Sequence, residues 1–210
     1  MGKVRVAGFG VSIDGFGAGP DQGLEHPLGQ RGGELMSWFF PTRAFRSMVG
    51  KEGGTDDPFA DAAMEGFGAF ILGRNMFGPA GNDWGGPDWK GWWGDNPPYH
   101  APTFILTHHA RAPIVMEGGT TFHFVTDGIE SALAQAKAAA GDLDVKIGGG
   151  VSTVRQYLHG GAIDEIHLAI SPAFLGRGES LFAGIDLPYL GYRVKEVVPT
   201  ELATHLVLSR

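Results

Sequence analysis

The amino-acid sequence predicts an α/β protein of three layers, with a central, mainly parallel mixed sheet and an antiparallel hairpin at the C-terminal end. Short apolar runs rich in β-branched residues alternate with helical patterns through most of the chain, which is typical of parallel strands joined by crossover helices. Two strand patterns with no helix between them, at residues 192–198 and 204–209, then close the chain. This ending predicts the hairpin.

The other elements are each predicted from a local pattern. Buried strands are expected at residues 4–12, 69–72, 103–107, 121–125, 144–147 and 165–171. Helices are expected at residues 58–66, 127–141 and 151–159. A looser helical pattern covers residues 34–48, where Pro41 is expected to kink or divide the helix. Residues 13–33 are predicted to form a long glycine-rich loop, and residues 78–102 an insertion rich in tryptophan, proline and glycine.

The length and composition predict one domain over residues 1–210. Hydrophobic residues make up 43% of the chain and charged residues 19%, which allows a packed core, and no linker or repeat divides the sequence. The chain has 35 glycines, about twice the usual share of roughly 7%. They fall between apolar runs, where glycine permits a positive φ or a close approach of backbone to a ligand. This distribution predicts loops that hold a ligand.

Charge and cysteine content exclude several classes of protein. The formal net charge is −7 and no basic cluster is present, so a nucleic-acid partner is not predicted. The absence of cysteine excludes disulfides, thiolate zinc sites and cysteine nucleophiles. No apolar stretch approaches the ~20 residues of a membrane span, and the first residues enter a strand pattern without the apolar region of a signal peptide. The expected location is the cytoplasm.

The strongest chemical signal is a strand–glycine–helix pattern at residues 145–154. Three consecutive glycines at 148–150 would let the backbone approach a bulky anion, towards which the N–H groups of Val151, Ser152 and Thr153 would point. The pattern differs from the Rossmann fingerprint, since Thr153 replaces the third glycine and no acidic residue follows at the required distance. The alternative interpretation is a tight turn that binds nothing.

Two further predicted strands end in phosphate-binding residue types. Gly73 and Arg74 follow one strand, and the sequence Thr-His-His-Ala-Arg at residues 107–111 follows another. Arginine suits a phosphate because its planar guanidinium donates two parallel hydrogen bonds. Together the three strand ends predict a dinucleotide whose 2′-phosphate lies near Arg74, His108, His109 or Arg111.

The motifs, in this order and spacing, resemble a known superfamily. They are Ser12-Ile13-Asp14-Gly15, Ala69-Phe70-Ile71-Leu72-Gly73-Arg74, Leu106-Thr107, Ile147-Gly148-Gly149-Gly150 and the sequence PAFLGRGESLF at residues 172–182. The set resembles the dihydrofolate reductase-like superfamily, and more closely the stand-alone relatives of the reductase domain of riboflavin biosynthesis. The resemblance covers essentially the whole chain.

The resemblance implies a homodimer with the dihydrofolate reductase-like fold and NADPH as cofactor. It implies that the pyrophosphate binds at residues 149–153, that the nicotinamide lies against the first strand, and that a cis peptide joins Gly148 to Gly149. The residues predicted to bind the cofactor are Ile13, Gly15, Gly73, Arg74, Asn75, Met76, Thr107, His108, His109, Gly148, Gly149, Gly150, Val151, Ser152 and Thr153.

The predicted catalytic residues are two carboxylates. The superfamily carries one carboxylate in the helix after the first loop, and Glu34 is the candidate there, although its spacing to Trp38 differs by one residue. Asp14 in the loop is the other candidate, and Asp57 a more distant one. A helix-start acid and a turn residue are the structural alternatives for Glu34 and Asp14. Trp38 and Phe174 are predicted to contact the substrate.

The tryptophan-rich insertion and the histidines are open to more than one interpretation. The insertion either covers a planar substrate, or packs on its own aromatic residues or on a partner subunit. Its aromatic residues are Trp84, Trp89, Trp92, Trp93 and Tyr99. A metal site is not predicted, because the histidines lack the spacing of known zinc motifs. These histidines are His100, His108, His109 and His123.

The sequence therefore predicts an NADPH-dependent reductase that transfers a hydride to a small heterocyclic, pterin- or pyrimidine-like substrate or to a sugar-derived imine. Two alternatives remain open. The first is a catalytically inactive NADPH-binding sensor or ligand-sequestering protein, and the second is a flavin- or deazaflavin-using reductase on an unrelated fold.

Overall fold

The structure is a computed structural model that describes residues 2–48, 56–79, 84, 86 and 88–210. These residues form eleven strands and five α-helices. The strands are β1 (Val4–Ser12), β2 (Phe16–Ala18), β3 (Phe67–Gly73), β4 (Pro102–Leu106), β5 (Ile114–Val115), β6 (Thr121–Val125), β7 (Asp144–Gly149), β8 (Glu165–Ser171), β9 (Glu179–Ser180), β10 (Arg193–Pro199) and β11 (Thr204–Ser209). The helices are α1 (Arg43–Met48), α2 (Asp57–Met64), α3 (Arg74–Phe77), α4 (Ile129–Ala140) and α5 (Val151–His159).

The main sheet has nine strands in the order β10-β11-β8-β1-β7-β3-β4-β6-β5. The six central strands, from β8 to β6, pair in parallel. The hairpin β10–β11 joins β8 in antiparallel pairing, and β5 pairs antiparallel with β6 at the opposite edge. A second, small antiparallel sheet joins β2 to β9. The predicted fold class, a mainly parallel mixed sheet with a C-terminal hairpin, is confirmed.

The two faces of the sheet carry different side chains because successive residues of a strand point to opposite faces. Ala69 and Ile71 of β3 pack in the aliphatic cluster that includes Ala132 of α4 and Leu158 of α5. Phe70, between them, packs with Ala63 of α2 on the other face. The sheet is thus the middle layer of three, and α5 lies on the aliphatic face directly after β7.

The segment at residues 34–48 is divided, as Pro41 led us to expect. A 3-10 turn covers Gly32–Met36 and α1 begins only at Arg43. The predicted helices after Pro58, Asp127 and Gly150 are present as α2, α4 and α5.

The predicted position of the cis peptide is wrong by one residue. The cis bond joins Gly149 to Gly150, not Gly148 to Gly149. The strand predicted at residues 144–147 continues to Gly149, which pairs with Leu72 of β3. Gly148 and Gly149 therefore belong to the strand, and the chain leaves the sheet only at Gly150.

None of the helices in the described part of the chain is long and apolar enough to cross a membrane.

Candidate functional site

A cleft of about 410 Å³ opens at the carboxyl ends of four parallel strands, β3, β4, β6 and β7. This is the edge at which open α/β sheets bind their ligands. Its lining residues come from these strand ends and the turns that follow them, from α3, α4 and α5, from the first loop and from β9. They are Gln22, Gly73, Arg74, Asn75, Leu106, Thr107, His108, His109, Val125, Thr126, Gly128, Ile129, Gly150, Val151, Ser152, Thr153, Gln156 and Glu179.

The first turn of α5 presents backbone donors to the cleft. Gly150 caps the helix without a side chain, and its carbonyl accepts the N–H of Val154 at 3.1 Å. The N–H groups of Val151, Ser152 and Thr153 come before that of Val154, which is the first to bond within the helix, so they need a partner from outside the helix. A Cβ atom added to Gly150 would meet no atom within 4 Å, which means that the space in front of this helix end is open. Such an end attracts anions.

Gly73 allows β3 and α5 to meet at the floor of the cleft. A Cβ atom on this residue would lie 2.4 Å from Oγ1 of Thr153, which is closer than any side chain tolerates. A larger residue would push the end of β3 away from the first turn of α5. The glycine therefore keeps two of the predicted strand ends in contact.

Arg74 lines the cleft but is also bound to the tryptophan-rich segment. Its Nη1 donates to the carbonyl of Pro79 at 2.7 Å, and its guanidinium carbon lies 4.8 Å from the centre of the Trp84 ring. Arg111 lies over the same ring at 5.4 Å and donates from Nη2 to the carbonyl of Trp89 at 2.7 Å. Two cations thus hold this segment beside the cleft.

Three tryptophans of the insertion, Trp84, Trp89 and Trp92, pack on aromatic neighbours. Trp84 and Trp89 join a cluster with Phe77 and Phe122, and Nε1 of Trp89 donates to the carbonyl of Phe77 at 2.8 Å. None of the described tryptophans lines the cleft. Of the interpretations of the insertion, the structure favours packing on aromatic residues, which belong to the insertion itself and to α3 and β6.

The end of β4 carries the predicted histidines. Oγ1 of Thr107 accepts the N–H of His109 at 3.0 Å, which turns the chain sharply after the strand. His108 and His109 are exposed and line the cleft with Asn75. The structure therefore brings ten of the fifteen predicted cofactor residues together. They are Gly73, Arg74, Asn75, Thr107, His108, His109, Gly150, Val151, Ser152 and Thr153.

The other five predicted cofactor residues do not line this cleft. Ile13 is 53% exposed in the turn after β1, where Gly15 has a φ of +84°. Gly148 and Gly149 lie in β7. Met76 is near Gly149, since a Cβ atom added to Gly149 would be 3.8 Å from Sδ of Met76.

Asp14, the first catalytic candidate, is bonded to the protein itself. Its carboxylate accepts the N–H groups of Leu175 at 3.2 Å and Gly176 at 2.7 Å. The hydrogen bond from the Ser12 side chain, with those from the two backbone groups, lowers the pKa of Asp14. Asp14 therefore joins the first loop to the segment after β8.

Glu34, the second candidate, is paired with Arg31. The Nε and Nη2 atoms of Arg31 donate to the two carboxylate oxygens of Glu34 at 2.7 and 2.9 Å. This hydrogen-bonded pair is exposed and lowers the pKa of Glu34. The more distant candidate, Asp57, is in the first turn of α2 and accepts the N–H of Arg43 at 2.6 Å. None of the three carboxylates lines the cleft.

The two predicted substrate residues lie in opposite environments. Phe174 is 62% exposed, whereas Trp38 is 1% exposed and packs edge-on against His205, with ring centres 5.1 Å apart. His205 is in turn 3.0 Å from Nε2 of His167. Burial lowers the pKa of both histidines, to about 4 for His167. Trp38 thus sits in a closed cluster.

Sequence reasoning missed several cleft residues. Thr126, Gly128 and Ile129 follow β6 and begin α4. They could have been predicted, since the carboxyl end of a fourth parallel strand must lie at the same edge. Gln22 comes from the first loop and Glu179 from the short strand β9, and no local sequence pattern reveals that these segments approach the cleft. Among the described residues, no cluster of three or more His, Asp or Glu side chains could hold a metal ion.

Three solved structures illustrate how this fold resembles those of known proteins. A protein described as a riboflavin biosynthesis protein from Shewanella sp. PV-4 is 20% identical with a TM-score of 0.59, over 100% of this chain and 99% of that chain. A pyrimidine reductase-like protein from Corynebacterium diphtheriae is 13% identical with a TM-score of 0.53, over 99% and 91% of the two chains. RibD from Acinetobacter baumannii is 16% identical with a TM-score of 0.55, over 100% of this chain.

This chain spans only 58% of the Acinetobacter RibD chain. At these identities the likeness concerns the fold. No curated protein matched the sequence significantly.

The sheet topology and these likenesses define the class of fold, an α/β protein built on a mainly parallel mixed sheet. The family model described as the RibD C-terminal domain matches residues 5–207. The chain therefore belongs to the RibD C-terminal domain family, and the resemblance found in the sequence is confirmed.

Proposed function

We propose that this protein is an NADPH-dependent reductase of a small heterocyclic substrate. The observation that carries the proposal is the open first turn of α5, whose backbone N–H groups share one cleft with Arg74, His108 and His109. This donor set fits a ligand with two separate phosphate groups. Membership of the RibD C-terminal domain family supports a reductase.

The cleft suits the parts of NADPH in a definite order. The central pyrophosphate would bind at Val151, Ser152 and Thr153, where backbone donors and the helix dipole act together. The 2′-phosphate would lie on the β3 and β4 side, near Asn75 and the two histidines. Apolar side chains suited to a planar base line the same cleft, and these are Leu106, Val125 and Ile129.

The chain's own contribution is orientation. When bound, NADPH supplies the hydride. Gly73 and Gly150 let the backbone come close to the cofactor, and Asp14 fixes the first loop against Leu175 and Gly176. Holding two reactants in one geometry can account for a large share of an enzymatic rate enhancement.

The proposed class of substrate is inferred from membership of the RibD C-terminal domain family. A pyrimidine- or pterin-like ring, or a sugar-derived imine, presents the electron-poor carbon that accepts a hydride, and a role in riboflavin biosynthesis would use such a substrate. The homodimer, the single domain over residues 1–210 and the cytoplasmic location remain predictions.

A second candidate is an NADPH-binding protein without turnover, serving as a sensor or sequestering a ligand. The state of the carboxylates favours it, because Asp14 and Glu34 are both bonded within the protein and neither lines the cleft.

Steady-state oxidation of NADPH with a panel of pterin, pyrimidine and quinone substrates tests the proposal. We expect saturable turnover with at least one pterin or pyrimidine. Saturable NADPH binding without turnover on any substrate would favour the second candidate, and absence of NADPH binding would overturn both.

A further inference from the structure

Glu179 is the only Asp or Glu among the described residues that line the cleft. It belongs to β9, in which it pairs with Ala18 of β2. It lies in the motif at residues 172–182, but neither the predicted site nor the proposed function assigns it a role. A carboxylate in a cleft otherwise rich in donors calls for a chemical reason.

The Glu179 carboxylate is held in place on one oxygen and open on the other. Gln22 donates from Nε2 to its Oε1 at 2.6 Å, and both residues line the cleft. Within the described part of the chain, no hydrogen bond reaches its Oε2. Gln22 therefore orients the group and leaves its second oxygen available as an acceptor in a residue that lines the cleft.

The segments that carry the carboxylate are fixed against the start of α5. Nη1 of Arg155, on α5, donates to the carbonyls of Ser180 and Leu181 at 3.1 Å each. A Cβ atom on Gly17 of β2 would lie 2.7 Å from Cγ2 of Val151. The position of Glu179 is thus set by the same helix whose first turn would bind the pyrophosphate.

A carboxylate repels phosphate, so the ligand group beside Glu179 must be a hydrogen-bond donor. Neutral hydroxyl groups meet this requirement, since bonds to an ionised acceptor are about twice as strong as neutral ones. A ribose presents two adjacent hydroxyls, which one carboxylate can accept together. An acidic residue holds a ribose hydroxyl in the same way in Rossmann folds.

The order of the strands in the sheet indicates which of the two riboses of NADPH would lie beside Glu179. The strands run β8-β1-β7-β3-β4, and α5 follows β7 in the middle. Arg74 and His108 follow β3 and β4 on one side, whereas β2 and β9 follow β1 and β8 on the other. If the 2′-phosphate is on the β3 and β4 side, the opposite half of the dinucleotide is next to Glu179.

We propose that Glu179, oriented by Gln22, binds the hydroxyl groups of the nicotinamide-side ribose of NADPH. This inference rests on the proposed function and adds to it a residue that positions the reactive half of the cofactor. In this arrangement the adenosine half of NADPH does not contact the Glu179 carboxylate.

Calorimetric titration of the wild type, Glu179→Gln and the control Glu25→Gln tests the assignment. Glu25 is an exposed residue of the same loop as Gln22. The ligands are NADPH and 2′,5′-ADP, which keeps the 2′-phosphate but lacks the nicotinamide half. We expect Glu179→Gln to weaken NADPH by about 10- to 100-fold, as for the loss of a hydrogen bond to a charged group, and to leave 2′,5′-ADP and the control unchanged.

An analogue of NADPH without the 2′-hydroxyl on the nicotinamide side adds a second, independent measurement. The wild type should bind it more weakly than NADPH, whereas Glu179→Gln should bind the two equally, because the shared interaction is already lost. Thermal unfolding of the variant checks that it folds.

Several outcomes would overturn the assignment. They are equal weakening of NADPH and 2′,5′-ADP by Glu179→Gln, unchanged or tighter NADPH binding, and an additive effect of variant and analogue. If the wild type bound neither ligand, the proposed function would fail with it. Wild-type binding with an unaffected variant would overturn this inference alone.

Discussion

The cleft and the region formed by the first loop with the turn after it, residues 13–38 apart from the cleft residue Gln22, use polar groups in opposite ways. In the cleft, the N–H groups of Val151, Ser152 and Thr153 in the first turn of α5 have no acceptor within the helix, and the space beside Gly150 is open. In residues 13–38, Asp14 accepts two backbone N–H groups and Glu34 is paired with Arg31. A binding site keeps its donors open, whereas polar groups that shape a loop bond to the protein.

This difference separates two roles that one sequence motif can suggest. A polar residue is a weak candidate for ligand contact if its polar groups are bonded within the protein and it does not line the cleft. This criterion supports an anion site at the first turn of α5. It does not support a catalytic role for the two predicted carboxylates, Asp14 and Glu34. The following predictions test the contrast, beginning with the largest expected effect.

Ser152→Asp places a negative charge at the proposed pyrophosphate site. We expect NADPH binding to weaken by about 100-fold or more, because the charge opposes the anion, while the melting temperature stays the same or rises, since an acidic residue favours a helix N-terminus. Calorimetry and thermal unfolding measure the two effects. With Ser152→Ala as control, only a small loss of affinity is expected. Unchanged NADPH affinity in the Ser152→Asp variant would contradict the assignment of an anion site to the first turn of α5.

Arg74→Ala tests whether the arginine that follows β3 binds the 2′-phosphate of NADPH. We expect about a tenfold or greater loss of affinity for NADPH and little change for NADH, because only NADPH carries that phosphate. Equal losses for the two nucleotides would contradict the assignment. They would indicate that Arg74 serves mainly to hold Trp84 and Pro79.

Asp14→Asn should affect stability more than cofactor affinity. The amide cannot accept both N–H groups as the carboxylate does, so the melting temperature at neutral pH should fall. Because hydrogen bonds lower the pKa of Asp14 below its ordinary value of 3.8, its contribution is complete above that pH and is lost as pH falls through the folded-state pKa.

The difference in melting temperature between wild type and Asp14→Asn should therefore shrink below about pH 3.8. A variant with normal stability and no turnover would instead return Asp14 to a catalytic role.

Glu34→Gln should have the smallest effect. The carboxylate is exposed and paired with Arg31, and exposed ion pairs contribute little to stability. We expect turnover and NADPH affinity to stay within about twofold of the wild-type values, because the pair lies outside the cleft. A large fall in kcat at unchanged NADPH affinity would identify Glu34 as the proton donor after all.

Strand ends proved more predictable than loops. The order of apolar runs, the glycines at 148–150 and the polar residues after β3 and β4 are local signals, and parallel strands necessarily bring their carboxyl ends to one edge. Ten predicted cofactor residues therefore share the cleft.

The rest depends on contacts between distant segments. The partners of Asp14 are more than 160 residues away, and Gln22 meets Glu179 across 157 residues. The burial of Trp38 against His205 depends on a strand near the end of the chain. No periodicity or motif near these residues encodes such contacts.

Amide hydrogen exchange with and without NADPH tests the central claim most directly, since it observes the backbone groups themselves. We predict that saturating NADPH slows exchange at Val151, Ser152 and Thr153 more than anywhere in residues 13–38. If those three amides exchanged at the same rate with and without the cofactor, the account of the cleft would be contradicted.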